Sequence, residues 1–468
     1  MRLRSAICTV LLICVGITPV GSAESSQAEE RFDVVVYGAT PGGIAAAVAA
    51  ARRDSGLRIA LVTPYQRVGG MITNGLTHPD FRTFEARTGL FRELNNRVLQ
   101  YFVSKYGADS DQVKDSLLGT HAGPEVNFKA FSNMLDLPGI TLQTNYRLKQ
   151  ASVQSQRIAK ICLVHSPDGE ERCISGRYFV DASYEGDLLA AAGVEYSVGR
   201  ESRGQYGESL APEKADGQVQ GYNFRLTMTN RPANRVSVPK PPGYKPEDYA
   251  GLVELLEGGE VKRIFGDPLG GLPGGIYKRQ TPKLPNGKRD INDVSHSNVR
   301  LSLPNINSAW PDGDHATRQA IFAQHIRHNI GMLFFLQNDP SVPKRFAEEA
   351  REWGLCRDEL EQTAHLPEQL YVREARRMKG RYVFTQNDVE RAANTNHARA
   401  VFQPDSIAMG DYGPNCHGTY HEGPLFGGRH TGEFYKRCAP YQIPFAALLP
   451  KDIENLVVPV ACSSSHVG

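Results

Sequence analysis

A glycine-rich stretch near the beginning of the chain has the composition of a phosphate-binding turn. It reads Gly-Ala-Thr-Pro-Gly-Gly, residues 38–43, and stands between an apolar run at 32–37 and a run rich in alanine and valine at 44–51. Glycines permit a sharp turn between a strand and a helix, and a helix N-terminus offers free N–H groups and a positive dipole to a pyrophosphate. The chemistry predicted for this stretch is dinucleotide binding.

The elements that would position this turn follow in the order that such a site needs. After a turn at 54–56, a second apolar run at 58–62 completes a unit of strand, helix and strand. Two positions depart from the usual pattern: Thr40 replaces the middle glycine, and Thr63 stands where an acidic residue normally holds the adenosine ribose. A glycine turn with a purely structural role is the alternative interpretation.

Length, charge and the N-terminus narrow the class of protein. The 468 residues predict two or three domains, and 53 Lys and Arg against 51 Asp and Glu argue against a dedicated nucleic-acid binder. Arg2 and Arg4, an apolar run at 6–20 and small residues at 21–23 predict a signal peptide over residues 1–23. The protein is therefore expected to be exported, either periplasmic or secreted, with no later membrane span. An uncleaved N-terminal anchor is the alternative.

Several stretches together resemble the FAD-dependent oxidoreductases that have a glutathione-reductase-like cofactor fold. More narrowly, they resemble exported bacterial members that are often labelled xanthan lyases. The matching stretches are VYGATPGG at 36–43, VGGM at 68–71, FVDASYEGDL at 179–188, PNGKRDIN at 285–292 and QLYVREARRM at 369–378.

The resemblance implies an α/β fold, with a Rossmann-like FAD-binding domain built on a parallel sheet in three layers and an inserted α+β substrate domain. It implies a non-covalently bound FAD, with the adenosine ribose near Thr63. Asp181 and Ala182 would form a second turn that contacts the dinucleotide. The remaining cofactor residues implied are Gly38, Thr40, Pro41, Gly42 and Gly43 at the pyrophosphate, and Gly69, Gly70 and Met71 at the flavin.

The chain divides into three predicted segments after residue 23. Residues 24–204 form the first part of the FAD-binding domain, residues 205–440 form the substrate domain, and residues 441–468 return to the FAD-binding domain. Helices are predicted near 317–336 and 343–353 within the substrate domain. The family continues beyond a turn like that at 462–468, so a fragment or a natural truncation is expected at this end.

The candidate catalytic residues are Arg373, His78 and His466. A helix predicted over 370–379 places Arg373 and Arg377 four residues apart, which suits an anion clamp and equally suits a solvated face paired with acids such as Glu374. His78 follows the glycine pair by eight residues and His466 lies near the end of the chain, so each is a candidate to lie beside the flavin.

Three further clusters receive a structural interpretation. Lys288, Arg289 and Asp290 are expected to form a polar surface loop. Histidines at 417, 421 and 430 with Cys416 lie in a predicted loop and lack the paired spacings of a zinc site, so no metal is expected. The last cluster is the pair Cys162 and Cys173, which flank a turn, so that a hairpin would allow a disulfide unless a bulge at Gly169 shifts the register.

The function expected from the resemblance is flavin-mediated oxidation. The reaction would remove a hydride from a C–H bond that carries a hydroxyl or an amine, on a small-molecule substrate such as a sugar or uronate, with an unidentified electron acceptor. A non-catalytic flavin- or ADP-binding scaffold is the main alternative. A polysaccharide lyase is a poorer match, because it would leave the dinucleotide turn without a purpose.

Overall fold

The computed structural model describes residues 30–393, 398–460 and 463–465. The predicted signal peptide and His466 lie outside these residues. The nineteen described strands, β1 to β19, are Glu30–Tyr37, Ile59–Val62, Ile140–Gln143, Tyr146–Gln154, Arg157–His165, Glu171–Asp181, Tyr196–Ser197, Leu226–Thr229, Arg235–Val236, Phe265–Gly266, Tyr277–Arg279, Lys288–Asn292, Gly354–Cys356, Arg377–Met378, Ser406–Gly410, Asn415–Glu422, Arg429–Tyr435, Tyr441–Pro444 and Leu456–Val457. The twelve described α-helices, α1 to α12, are Pro41–Arg53, Gly89–Tyr106, Asp111–Asp115, Pro124–Leu135, Asp187–Ala191, Arg203–Tyr206, Ala250–Gly258, Pro304–Asn307, His315–Ile326, Met332–Asn338, Lys344–Arg351 and Gln386–Val389.

The first sheet is parallel around the glycine turn. Its central order is β3, β2, β1 and β6, and β19 adds in parallel to the C-terminal half of β6. Both faces of β1 are covered, since Val36 contacts the cluster formed with α1, α2 and α4, whereas Val35 contacts the opposite cluster formed with β5 and α5. The β-branched run therefore forms a strand buried on both sides, as the sequence predicts.

An antiparallel meander extends this sheet and carries a disulfide. Strands β4, β5 and the N-terminal half of β6 pair in antiparallel order. Cys162 and Cys173 are directly opposite partners on β5 and β6, and their sulfurs are bonded. The predicted disulfide is confirmed, and the hairpin keeps the register that it needs.

The second sheet belongs to the middle of the chain. Its order is β10, β11, β12, β8, β13 and β9, and only β10 and β11 run parallel. An aromatic-rich core, including Phe224, Tyr277 and Phe335, lies between this sheet and helices α7, α9, α10 and α11. The predicted helices near 317–336 and 343–353 are present, the first one interrupted by a π-helical turn over Arg327–Gly331.

The two sheets together confirm the predicted fold class: an α/β dinucleotide-type domain with an α+β insertion. The boundaries at 204 and 440 stay predictions.

Buried side-chain carboxylates join the two domains. Asp290 on β12 accepts hydrogen bonds from the backbone N–H and the hydroxyl of Thr77, at 3.0 and 3.1 Å. Glu359 accepts one from the backbone N–H of Glu125 at 2.7 Å, and Glu368 accepts one from the backbone N–H of Arg67 at 2.8 Å. Each bond crosses from a residue of the second domain to a loop or helix start of the first.

The segment 370–379 is extended, so the predicted helix is wrong. Strand β14 within it pairs with β7, and the backbone N–H of Tyr371 donates to the carbonyl of Asn223. The backbone groups of this segment are therefore bonded across the fold instead of within a helix. The structure shows no helix long and apolar enough to cross a membrane in the part of the chain that it describes.

Candidate functional site

The glycine turn after β1 is packed so closely that side chains are excluded. Gly38 has a φ of +105°, and a Cβ there would overlap the backbone of Ala182. A Cβ at Gly43 would overlap the carbonyl oxygen of Gly38. The two glycines thus allow α1 and the end of β6 to approach the turn, which is the geometry expected from the sequence.

Thr40 fits this turn in spite of replacing a glycine. Its hydroxyl donates to the carbonyl oxygen of Ala182 at 2.8 Å and accepts a hydrogen bond from the backbone N–H of Gly43 at 3.3 Å. Thr40 is therefore the N-cap of α1, and Pro41 occupies the first helical position, where no N–H donor is needed. Threonine at this position has less backbone freedom than the usual glycine, but its hydroxyl links the glycine turn to the turn at Ala182.

The glycine pair at 69 and 70 lies against the same turn. The backbone N–H of Gly69 donates to the carbonyl oxygen of Ala39 at 2.7 Å. Gly70 has a φ of +56°, and a Cβ there would overlap the hydroxyl of Tyr184, which accepts a hydrogen bond from the backbone N–H of Met71 at 3.1 Å. The structure thus brings together the two glycine stretches that the sequence assigned to one cofactor.

Asp181, Ala182 and Thr63 lie beside the turn, but their polar groups are bonded to other groups of the protein. The Asp181 carboxylate is fully buried and accepts hydrogen bonds from the N–H and hydroxyl of Ser183 and from the N–H of Leu189. Burial raises the pKa of Asp181 to about 6. Thr63 is buried, with its hydroxyl 3.4 Å from the backbone N–H of Tyr65. Asp181 thus stabilises the local backbone, and a direct contact with a dinucleotide stays a prediction.

A cavity of about 610 Å³ lies between the glycine turn and the second domain. Residues of the first domain, including Gly42 and Met71, line one side of it. Polar side chains of the second domain line the other side, so a cofactor on the turn and a substrate on the polar side would meet within one space. The polar lining includes Gln220, Tyr371, Arg373, Glu374, Arg377, Tyr412, Asn415 and His417.

Of the predicted catalytic residues, the structure places Arg373 in this cavity. The Arg373 guanidinium lies 4.2 Å from the centre of the Tyr371 ring, and its Nε donates to the carbonyl oxygen of Gly221 at 3.0 Å. Arg377 also lines the cavity but is paired with Glu201. The two arginines therefore do not form the clamp that the predicted helix suggested: Arg377 is ion-paired, whereas Arg373 has no ion-pair partner among the residues that the structure describes.

His78 lies away from the cavity lining. Its Nε2 is 2.8 Å from the carbonyl oxygen of Pro282, and its Nδ1 is 3.6 Å from the Asp290 carboxylate. The expectation of a surface cluster at 288–290 is wrong, because Lys288 is buried in ion pairs with Asp358 and Glu359. Asp290 is likewise fully buried, in a bidentate pair with Arg225.

Sequence analysis does not assign two cavity residues to the site: Asp80 is not a candidate, and His417 is predicted only to lie in a loop without a metal. Asp80 lines the cavity on the first-domain side, and burial raises the pKa of its carboxyl group. His417 lines it on the opposite side, with Nε2 3.2 Å from the Asn415 amide nitrogen, and burial together with the nearby Arg373 lowers its pKa. His417 is therefore neutral at pH 7. No local pattern marks these residues, since they meet only in the folded chain.

The predicted cysteine and histidine loop is a β-hairpin. Cys416, His417 and His421 lie on β16, and His430 lies opposite His421 on β17. Within the described residues, no group of three or more His, Cys, Asp and Glu side chains has the arrangement of a metal site. The hairpin contributes one wall of the cavity through Asn415 and His417.

The residues present fit FAD. In the glycine turn the Thr40 hydroxyl is bonded to the carbonyl oxygen of Ala182, and α1 begins at the cavity with Pro41 and Gly42 in its lining, so the helix N-terminus is available to a pyrophosphate. Met71 lines the same space, and Gly69, directly before Gly70 and Met71 in the chain, is bonded to the glycine turn. These residues would hold the pyrophosphate and the flavin of the cofactor.

The sequence model of the family described as FAD dependent oxidoreductase matches residues 33–468. The chain belongs to this family, and its cofactor is FAD. No curated protein sequence matches the chain. The family match does not support the narrower resemblance to members that are labelled xanthan lyases.

Solved structures that match the chain include several enzymes of low sequence identity. The p-nitrophenol 4-monooxygenase PnpA from Pseudomonas putida is 10% identical, with 76% of this chain and 70% of that chain covered and a TM-score of 0.31. The myxobacterial chondrochloren halogenase CndH is 14% identical, with 45% of each chain covered and a TM-score of 0.25. The anhydrotetracycline hydroxylase OxyS from Streptomyces rimosus is 15% identical, with 37% and 36% covered and a TM-score of 0.27. The chain thus spans less than half of the halogenase and of the hydroxylase.

Proposed function

We propose that this protein is an exported oxidoreductase that uses FAD to remove a hydride from a carbon bearing a hydroxyl or an amine. The observation that carries the proposal is the single cavity between the glycine turn and the polar side chains of the second domain. A small polar molecule fits such a space better than a polymer does. A sugar or uronate is the proposed substrate class, and the electron acceptor is left open.

The residues that line the cavity suggest a role for each group in the proposed reaction. Bound FAD supplies the hydride acceptor. Arg373 and Asn415 lie where they would orient the substrate, and Tyr371 supplies an apolar face beside Arg373. Asp80 is the proposed proton acceptor at its carboxylate, because burial raises the pKa of this group towards the range in which a base is most effective.

Export is supported by one structural feature and by the N-terminal pattern. The Cys162–Cys173 disulfide requires an oxidising compartment to persist in most organisms. N-terminal sequencing of the protein recovered from outside the cytoplasm is expected to start near Glu24. A mature protein that still begins at Met1 would contradict the proposed signal peptide.

The first test is an absorption spectrum of the purified protein, followed by anaerobic mixing with candidate substrates. We expect flavin bands, release of FAD on heat denaturation, and bleaching of the bands by a hydroxyl- or amine-bearing small molecule. The Asp80→Asn variant should keep its FAD but reduce it at least about 100-fold more slowly, since general base catalysis contributes on the order of 10²–10⁴ in rate.

A surface variant serves as the control for that measurement. Arg92→Gln lies on the exposed side of α2 and should match the unmodified protein in FAD content and in bleaching rate. Stable flavin bands that no substrate bleaches would favour the scaffold alternative. Release of unsaturated uronate from a polysaccharide without flavin reduction would favour the lyase alternative.

A further inference from the structure

Arg373 differs from the other arginines around it in having no carboxylate partner within the described residues. Its neighbours in this part of the molecule are all ion-paired. Buried or half-buried cations normally have such partners, because an uncompensated charge loses its hydration. The paired arginines are Arg225 with Asp290, Arg300 with Asp293 and Glu433, Arg318 with Asp187, Arg376 with Asp187 and Asp312, and Arg377 with Glu201 and Glu374.

Neutral groups hold the Arg373 side chain in place. Its Nε donates to the carbonyl oxygen of Gly221 at 3.0 Å, and its Nη2 donates to the side-chain oxygen of Asn223 at 2.9 Å. The face of the guanidinium lies 4.2 Å from the Tyr371 ring centre. Among the described residues, Nη1 has no hydrogen-bond partner, so one edge of the planar group is left for a ligand in the cavity that Arg373 lines.

The groups around Arg373 compensate its charge only in part. Burial lowers the pKa of Arg373, Tyr371 and Asp293 act to raise it, and the nearby Arg225 and Arg300 act to lower it again. A ligand that brings a negative charge would compensate the guanidinium in a partly water-excluded space. A neutral ligand would leave it uncompensated.

We propose that Arg373 binds the carboxylate of a singly charged substrate, which makes that substrate a hydroxy or amino carboxylic acid such as a uronic acid. The inference rests on the proposed function and specifies its substrate class. A single negative charge is favoured because Arg377, the other arginine in the lining, is already paired. Asp80 and Glu374 line the same cavity and would repel a second negative charge such as that of a phosphate dianion.

The first experiment measures thermal unfolding of the FAD-loaded protein and needs no ligand. Arg376→Gln should lower the unfolding temperature, because it breaks pairs with Asp187 and Asp312 at 2.8 Å. Arg373→Gln, three positions earlier in the same extended segment, should lower that temperature less, because the loss of its hydrogen bonds to Gly221 and Asn223 is offset by removal of a charge that has no carboxylate partner among the described residues. An equal loss in both variants would make Arg373 a structural residue and overturn the proposal.

The second experiment is calorimetric titration of the FAD-loaded protein with glycolate and glucuronate, and with ethylene glycol, glucose and inorganic phosphate as comparisons. We expect binding of the two carboxylates, with a dissociation constant raised about 10-fold or more in Arg373→Gln and partly restored in Arg373→Lys. Failure of both carboxylates to bind, equal binding by Arg373→Gln, or tighter binding of phosphate would each overturn the proposal.

The FAD content of every preparation separates this inference from the proposed function. Protein that holds no FAD, or whose FAD no substrate reduces, would contradict the function itself. Protein with normal FAD that is reduced by neutral alcohols, and equally well in the Arg373→Gln variant, would contradict only the role of Arg373.

Discussion

The two walls of the cavity are built on different physical principles. On the first-domain side, Gly42 and Met71 present backbone and tightly packed small groups. On the second-domain side, Arg373, Asn415 and His417 present polar side chains, and the pKa values of Arg373 and His417 depend on their surroundings. The first wall is thus formed by close packing, whereas the second is formed by polar and charged side chains.

Because of this difference, we expect different kinds of substitution to destabilise the two walls. Excess volume damages the first wall, since its glycines have no space for a Cβ. Loss of a charge damages the second wall, since its buried ions compensate one another. The following predictions test each wall by its own kind of change.

The largest expected effect is the loss of a charge behind the second wall. Asp290→Asn keeps the shape of the side chain but leaves Arg225 without its partner, and the two side chains are only 0% and 4% exposed. We expect a loss of about 3–5 kcal/mol in the free energy of unfolding, measured by urea denaturation.

A surface pair with the same geometry provides the comparison. Glu93 forms a bidentate pair with Arg52, but the two side chains are 27% and 41% exposed. Glu93→Gln should therefore cost no more than about 1 kcal/mol. Equal losses at Asp290 and Glu93 would mean that burial does not control the second wall.

A smaller effect is expected from added volume in the first wall. Gly38→Ala places a Cβ against the Ala182 backbone at a φ of +105°, so we expect a loss of about 3 kcal/mol and a reduced ratio of FAD to protein. Gly193→Ala has a φ of +75° but nothing within 4 Å, and should cost only about 1 kcal/mol with normal FAD. Similar values for the two variants would show that backbone strain, and not close packing, makes Gly38 necessary.

The smallest expected effect is a local response to acid around α9 and α10 of the second domain. Burial lowers the pKa of His325 to about 4 and also lowers that of His328. Unfolded histidines bind a proton below pH ~6.5, so unfolding becomes easier as the pH falls through that value, by about 1.4 kcal/mol for His325 at one pH unit below it, and His328 acts in the same direction.

Strand β6 of the first domain carries a group of opposite sign, Asp181, whereas His121 elsewhere in that domain, whose pKa burial lowers to about 3, responds to acid as His325 does. The raised pKa of Asp181 means that the folded protein binds a proton between pH ~4 and 6 that the unfolded chain does not, so acid favours folding there. Hydrogen exchange at pH 7 and 5.5, corrected for intrinsic rates, should show greater loss of protection in α9 and α10 than in β6. Equal loss in both regions would contradict the assignment.

Sequence reasoning predicted the first wall well because its determinants are local. The strand, the turn and the small-residue helix lie within residues 32–53, so one short stretch of sequence determines all three elements, although the turn also packs against Ala182. The pairing of Cys162 with Cys173 was open to prediction for the same reason, since a single hairpin controls it.

The second wall depends on partners far apart in the chain, and there the predictions failed. Asp290 is buried because Arg225, 65 positions earlier, compensates it, whereas a run of charged residues ordinarily indicates a surface. The spacing of Arg373 and Arg377 suited a helix, but the backbone of that segment is bonded to β7 and to Asn223. Asp80 and His417 carry no local signal at all.

The hydrogen bond from Thr77 to Asp290 bears on how molecules enter and leave. It connects the loop after the flavin-side glycines directly to the second sheet, and Glu359 and Glu368 make similar connections elsewhere along the boundary. Moving the domains apart would break these three hydrogen bonds together and leave the backbone N–H groups of Thr77, Glu125 and Arg67 without their carboxylate partners. We therefore expect ligand exchange to proceed through the existing mouth of the cavity by side-chain and loop motions, on nanosecond to microsecond timescales, and not by domain opening.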